Sequence, residues 1–126
     1  MESTEFASLR KKLSKTQKVM SQLLGISLKA IHSYEQGWRT IPPHAERQIL
    51  FLTAMKNRTN RGKRSCWTIR KCSREQKEQC PAWEFRAGDL CWFINGTMCD
   101  GSAKKDWKAK MLICRECVVY RDVFGT

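Results

Sequence analysis

TQKVMSQLLGISLKAIHSYEQG, residues 16–37, decides the fold of the first half of this chain. Val19, Met20, Leu23 and Leu24 recur at the three-to-four residue spacing of one helical face. Ile31 and Tyr34 open a second apolar stripe after Gly25, which suits a tight turn. Ser27 stands where a second helix needs a cap, and Gly37 stands where that helix needs a left-handed end. The pattern predicts helices over 16–24 and 27–36 joined by a turn too short to let them lie apart.

Outward from this pair, Phe6 to Lys12 reads as a short preceding helix, with Phe6 and Leu9 inward and Ser3 or Thr4 as its cap. Trp38 to Pro43 is a loop, because consecutive prolines at 42 and 43 forbid helix until they are passed. A last helix is expected from about His44. Ala45, Gln48, Ile49 and Leu52 lie along one side of it and Leu50, Phe51 and Ala54 along another, so it has apolar surface for the domain core and for a second copy of the chain. Lys56 to Arg64 carries five basic residues and no aliphatic one, which marks a linker. The expected division is a helical domain over 1–55, a basic linker over 56–65 and a second domain over 66–126.

Two helices meeting at a tight turn can place the second in a major groove, where Leu28, Lys29, His32 and Ser33 are expected to face the bases. The first 55 residues resemble the helix-turn-helix domain of the lambda-repressor and Cro type, the XRE family. Thr16 and Gln17 open the second helix as in that family, Ser21 takes the small-residue position usually held by Ala, Gly25 makes the turn, and Ile31, Glu35 and Gly37 close the third helix. The resemblance implies a bundle of four to five helices. It implies that Gln17 grips a phosphate at the helix start and that Leu28, Lys29, His32 and Ser33 face the bases, and Thr16, Ser27 and nearby Arg39 complete the expected DNA-binding face.

Charge agrees with a polyanionic partner. The 24 Lys and Arg outnumber the 12 Asp and Glu for a net +12, and residues 1–60 and 61–126 contribute +6 each. The acidic start, Met1 to Phe6, is followed by no apolar run of signal-peptide length, and apolar runs such as Ile49 to Leu52 are far below the ~20 residues of a membrane span. The expected setting is the cytoplasm, with double-stranded DNA and a second copy as partners and no membrane.

All seven cysteines, Cys66, Cys72, Cys80, Cys91, Cys99, Cys114 and Cys117, lie in the second half. A domain of about 60 residues has a marginal core, so a staple is expected there. Cys114-x-x-Cys117 can place two sulfurs on one metal at about 2.3 Å, the zinc–thiolate distance. The other gaps, of 5, 7, 10, 7 and 14 residues, fit no common zinc pattern, and Cys80-Pro81 echoes an iron–sulfur ligand run. All seven cysteines are therefore candidate metal ligands, for zinc or for an iron–sulfur cluster. Disulfides and buried free thiols are the other uses open to them.

Trp67, Trp83, Trp92 and Trp107 are expected to fill the core of this half. Asn95-Gly96 between Trp92–Ile94 and Thr97–Cys99 is a hairpin signal, and Met111–Ile113 and Val118–Tyr120 read as strands around the Cys114–Cys117 turn. The half is thus predicted to be mostly β or irregular. Its two Cys-Trp pairs, Cys66-Trp67 and Cys91-Trp92, give it a looser resemblance to a small cysteine-rich module of bacterial regulatory and chemosensory proteins.

The sequence therefore predicts a sequence-specific transcriptional regulator with a metal-binding or redox-sensing second domain. Its rival is a protein-interaction adaptor whose metal-stapled half docks a partner. Catalysis is not expected, since no phosphate loop, Gly-x-Ser-x-Gly or His-Glu-x-x-His is present and both histidines, His32 and His44, lie outside the cysteine-rich half.

Overall fold

The computed structural model describes residues 1–57, 66–94 and 106–124, and the chain divides into a unit over 1–56 and a unit over 57–126. The first unit is helical throughout. It contains α1 (Ser3–Lys12), α2 (Gln17–Leu24), α3 (Leu28–Gln36) and α4 (Pro43–Asn57).

Local chemistry sets each boundary of the α2–α3 pair. The Thr16 hydroxyl accepts the Val19 N–H at 3.1 Å and the Ser27 hydroxyl accepts the Ala30 N–H at 3.1 Å, so both helices start on a side-chain cap. Gly25 (φ +66°) and Gly37 (φ +78°) end them in the left-handed region. A Cβ at Gly25 would meet nothing within 4 Å, so the glycine is required by backbone conformation rather than by space. Phe6 and Tyr34 meet edge to face at 5.8 Å inside a core that includes Met20, Ile31, Ala45 and Ile49.

A charged network ties three of these helices. Arg10 on α1 holds the Glu35 carboxylate of α3 through two bonds, Nε to Oε2 at 2.6 Å and Nη2 to Oε1 at 2.9 Å. Gln17 at the start of α2 donates to Glu35 Oε1 at 3.2 Å, and Arg10 Nη1 reaches the Lys15 carbonyl at 2.9 Å. Burial pushes the Glu35 pKa up, but the Arg10 and Gln17 hydrogen bonds and the charges of Arg10 and Lys11 outweigh it and hold the group below its ordinary value.

Two expectations for α4 are adjusted. It starts at Pro43, which is tolerated in a first turn, and Leu50 is buried rather than presented to a second copy, while Phe51 is half-buried. Residues 58–65 of the expected linker lie outside the described residues.

The second unit corrects the sequence reading. The described residues contain no strand, and the half predicted to be β or irregular forms α5 (Cys66–Ile69), α6 (Arg74–Gln79), α7 (Pro81–Glu84), α8 (Trp107–Cys114) and α9 (Val118–Phe124). Met111–Ile113 and Val118–Tyr120, predicted as strands, are helical. The reason is periodic. Trp107, Lys110, Met111 and Cys114 recur at i, i+3, i+4 and i+7 and are all buried, and Asp106 caps α8 by accepting the Ala109 N–H at 3.1 Å. That period outweighs the β preference of three-residue apolar windows. The Cys114–Cys117 turn is kept, with the Cys117 N–H on the Cys114 carbonyl at 2.9 Å, but it joins two helices. Trp92–Ile94 forms turns, and the Asn95-Gly96 hairpin lies outside the described residues.

Trp92 centres this unit. It is fully buried and meets Phe124 at 5.4 Å, Phe93 at 5.7 Å, Tyr120 at 6.4 Å and Trp107 at 6.5 Å, while its indole N–H reaches the Asp89 carbonyl at 3.1 Å. Trp67 and Trp83 form a separate edge-to-face pair at 4.9 Å, with Arg86 over the Trp83 ring at 4.4 Å.

Glu35 gives the first unit a pH dependence of fixed sign. Its folded pKa is depressed, so its stabilisation is complete above the ordinary value of 4.5 and is lost as pH falls through the folded value. Glu35→Gln should lower stability at pH 7 by about 1.5–3 kcal/mol, the worth of hydrogen bonds to a charged group. The deficit should shrink as the pH falls below 4.5 through the depressed folded value. Urea titration followed by the helical circular dichroism signal at pH 7 and at a series of lower pH values checks this.

Candidate functional site

At about 100° per residue, α3 carries Leu28, His32, Gln36 and Lys29 on one arc, with Ala30, Ile31 and Tyr34 opposite. Leu28, Lys29, His32 and Gln36 are exposed. Ser33, expected on this face, is 7% exposed, because it falls past Lys29 towards buried Ala30. Gln36 replaces it as the polar group of the face, and the helical period alone could have found it, since it lies four residues beyond His32.

The backbone beyond α3 extends the arc. The Trp38 N–H returns to the Ser33 carbonyl at 2.9 Å, which folds the chain back after Gly37 and sets the Trp38 ring edge-on to His32 at 5.3 Å. Trp38 is 70% exposed, and Arg39 beside it is exposed too. Trp38 was missed in the sequence because it sits outside the helical repeat, on a loop.

The remaining expected residues have structural duties first. Thr16 and Ser27 use their hydroxyl oxygens as caps, and the Gln17 side-chain amide N–H donates to Glu35. Leu28, Lys29, His32 and Arg39 are the predicted positions that the structure leaves exposed together with Thr16 and Ser27.

The described cysteines of the second unit are free thiols, distributed unevenly. Cys66 opens α5 with its N–H on the Gly88 carbonyl at 2.9 Å. That bond brings α5 to the turn ahead of Cys91, and the two thiols hydrogen-bond each other. The Cys91 bond is the largest influence on the Cys66 thiol and lowers its pKa; burial opposes it, and the N–H groups of Trp67 and Cys66 and the charge of Lys110 reinforce the lowering. Cys114 is buried at the end of α8. Cys72, Cys80 and Cys117 are half-buried at helix junctions, and Cys99 lies outside the described residues.

Among the described residues, no three Cys, His, Asp or Glu side chains come together as ligands of one ion. No helix of the described residues is long and apolar enough to cross a membrane.

Comparisons with protein-family models, with curated proteins and with solved structures find no match to this chain.

Burial orders the thiols by access. In the native chain a bulky maleimide should label Cys72, Cys80 and Cys117 well before Cys66, Cys91 and Cys114, with all six equal in denaturant. Timed labelling and peptide mass spectrometry measure the order.

Proposed function

We propose that the chain is a sequence-specific DNA-binding transcriptional regulator whose first unit lays α3 in the major groove. One observation carries the reading: a capped helix pair turns at Gly25 and leaves Leu28, Lys29, His32 and Gln36 exposed on one face of the second helix, beside Trp38 and Arg39. Lys29 and His32 suit base-edge acceptors, Gln36 suits an adenine, and Leu28 suits a thymine methyl. Arg39 and exposed Lys18 suit phosphates, and the net charge of +12 adds a salt-dependent attraction common to all sequences.

One such helix reads too few base pairs to find a site alone, so the regulator acts as a homodimer on two half-sites about 34 Å apart. The cytoplasm is its setting, and the thiols of its second unit are where a redox or metal signal acts. The adaptor reading draws on exposed Leu112, Ile113 and Val118 in the second unit, which would suit a protein partner.

Selection of duplexes from a random library tests the first reading, and an enriched palindromic site is the expected outcome. Lys29→Ala and His32→Ala should each weaken that site by about 1–3 kcal/mol while random DNA is bound almost as before. Equal loss on both duplexes would refute base reading by α3. Sedimentation of the selected duplex should give two chains per site; one chain per site would refute the paired arrangement.

A further inference from the structure

We infer that the outer face of α8 is a self-complementary surface on which two copies of this chain pair antiparallel about a two-fold axis at Leu112. The inference supplies a surface for the paired arrangement proposed above, but it stands on the second unit alone and is tested without DNA.

The face is apolar where a solvated helix is ordinarily polar. Leu112 is 75% exposed, and Ile113 beside it and Val118 at the start of α9 are exposed with it. The inner face of the same helix is already occupied by Trp107, Lys110, Met111 and Cys114, all buried, so rotating Leu112 and Ile113 into the core of this unit would turn those four out. Apolar side chains exposed together mark contact with another molecule.

Charge says which molecule. Lys108, Leu112 and Glu116 follow one another at four-residue intervals, and both charged residues are exposed. Helical bonding continues to the end of this stretch, with the Arg115 N–H on the Met111 carbonyl at 3.1 Å and the Glu116 N–H on the Ile113 carbonyl at 3.2 Å. A cation and a carboxylate therefore stand about 6 Å of helical rise to either side of Leu112. Two such helices laid antiparallel, Leu112 on Leu112, set each Lys108 opposite the partner's Glu116. Laid parallel, they set like charge on like. A surface that carries both members of the pair at equal distance from its centre matches itself, which is the property an isologous contact requires.

The helix dipole favours the same arrangement. Lys108 is the second residue of α8 and Glu116 lies just past its end, so in a single copy each charge sits at the helix end of its own sign. Arg121 bonds Glu116 Oε2 at 3.1 Å, but with side chains 54% and 78% exposed this is a pair of the kind that contributes little. In the antiparallel pair each charge comes beside the opposite end of the neighbouring helix. The conflict within one copy is relieved between two. With only eight residues in α8 the contact is small, so the free dimer is weak.

The test is sedimentation of the full, reduced chain without DNA up to about 1 mM, together with carbodiimide coupling of mixed light and isotopically heavy chains mapped by mass spectrometry. Reversible dimerisation is expected, with a Lys108–Glu116 amide joining light chains to heavy ones. Within one chain these groups are separated by about 12 Å of rise, too far for a reagent that adds no spacer. Lys108→Glu and Glu116→Lys should each weaken self-association by about tenfold, and an equimolar mixture of the two variants should regain it, because each pair across the two-fold is again a cation and a carboxylate. Leu112→Glu should give a monomer with an unchanged helical circular dichroism signal. Lys29→Ala should dimerise like the unmutated chain, so a wrong DNA-reading face and a wrong pairing face give different results. A chain that stays monomeric throughout leaves the α8 face to a different protein and overturns the inference. So do a dimer that Leu112→Glu leaves intact and light-to-heavy amides that omit the Lys108–Glu116 pair. The coupling map of the unmutated chain decides the matter even where a variant fails to fold.

Discussion

The Glu35 carboxylate is the point on which the first unit turns. A bundle of fewer than 60 residues has little apolar surface to fix the angles between its helices, and apolar contact is non-directional in any case. A bidentate Arg–carboxylate pair is directional, and here it reaches from α1 to α3 and takes α2 with it through Gln17. The orientation of α3, and with it the exposure of Leu28, Lys29, His32 and Gln36, follows from where that carboxylate is held. Replacing such a pair by apolar residues can leave stability intact, so its value here lies in geometry.

The second unit solves the same shortage differently. Its helices are four to eight residues long, too short to persist alone, and they are assembled around one tryptophan whose ring touches aromatic neighbours before and after the undescribed segment 95–105. A fully buried Lys110 in this setting is costly, and such groups cluster at sites of chemistry.

How much was legible in the sequence follows from where the information is stored. In the first unit, the cap at Ser27 and the glycines at 25 and 37 are local signals, and the structure uses each of them as read, while Thr16, read as the first residue of the second helix, is its cap. Ser33 was misplaced by one position on the helical wheel, and Trp38 was passed over because a loop carries no period. Glu35 was read as one residue of a motif, and its partner Arg10, 25 positions away, has no local mark. In the second unit the local signals were misleading. Short β-favouring triplets at 111–113 and 118–120 lie within helices whose repeat starts at Trp107, and the Cys114–Cys117 spacing gives no sign that the Cys66 N–H meets the Gly88 carbonyl just ahead of Cys91. A contact between residues 22 apart is a product of the fold, and spacing within the chain does not announce it.

Trp38 has a consequence of a different kind. It is the single tryptophan of residues 1–57, the other four all falling at or beyond position 67, and its ring stands in solvent with His32 at its edge. The chain therefore carries its own optical label on one unit. Light emitted by a solvated indole is shifted to the red of light from buried ones such as Trp92, and it is quenched or restored by whatever comes to rest upon it. The two halves of the molecule can thus be watched separately, in the same cuvette, without attaching a dye to either.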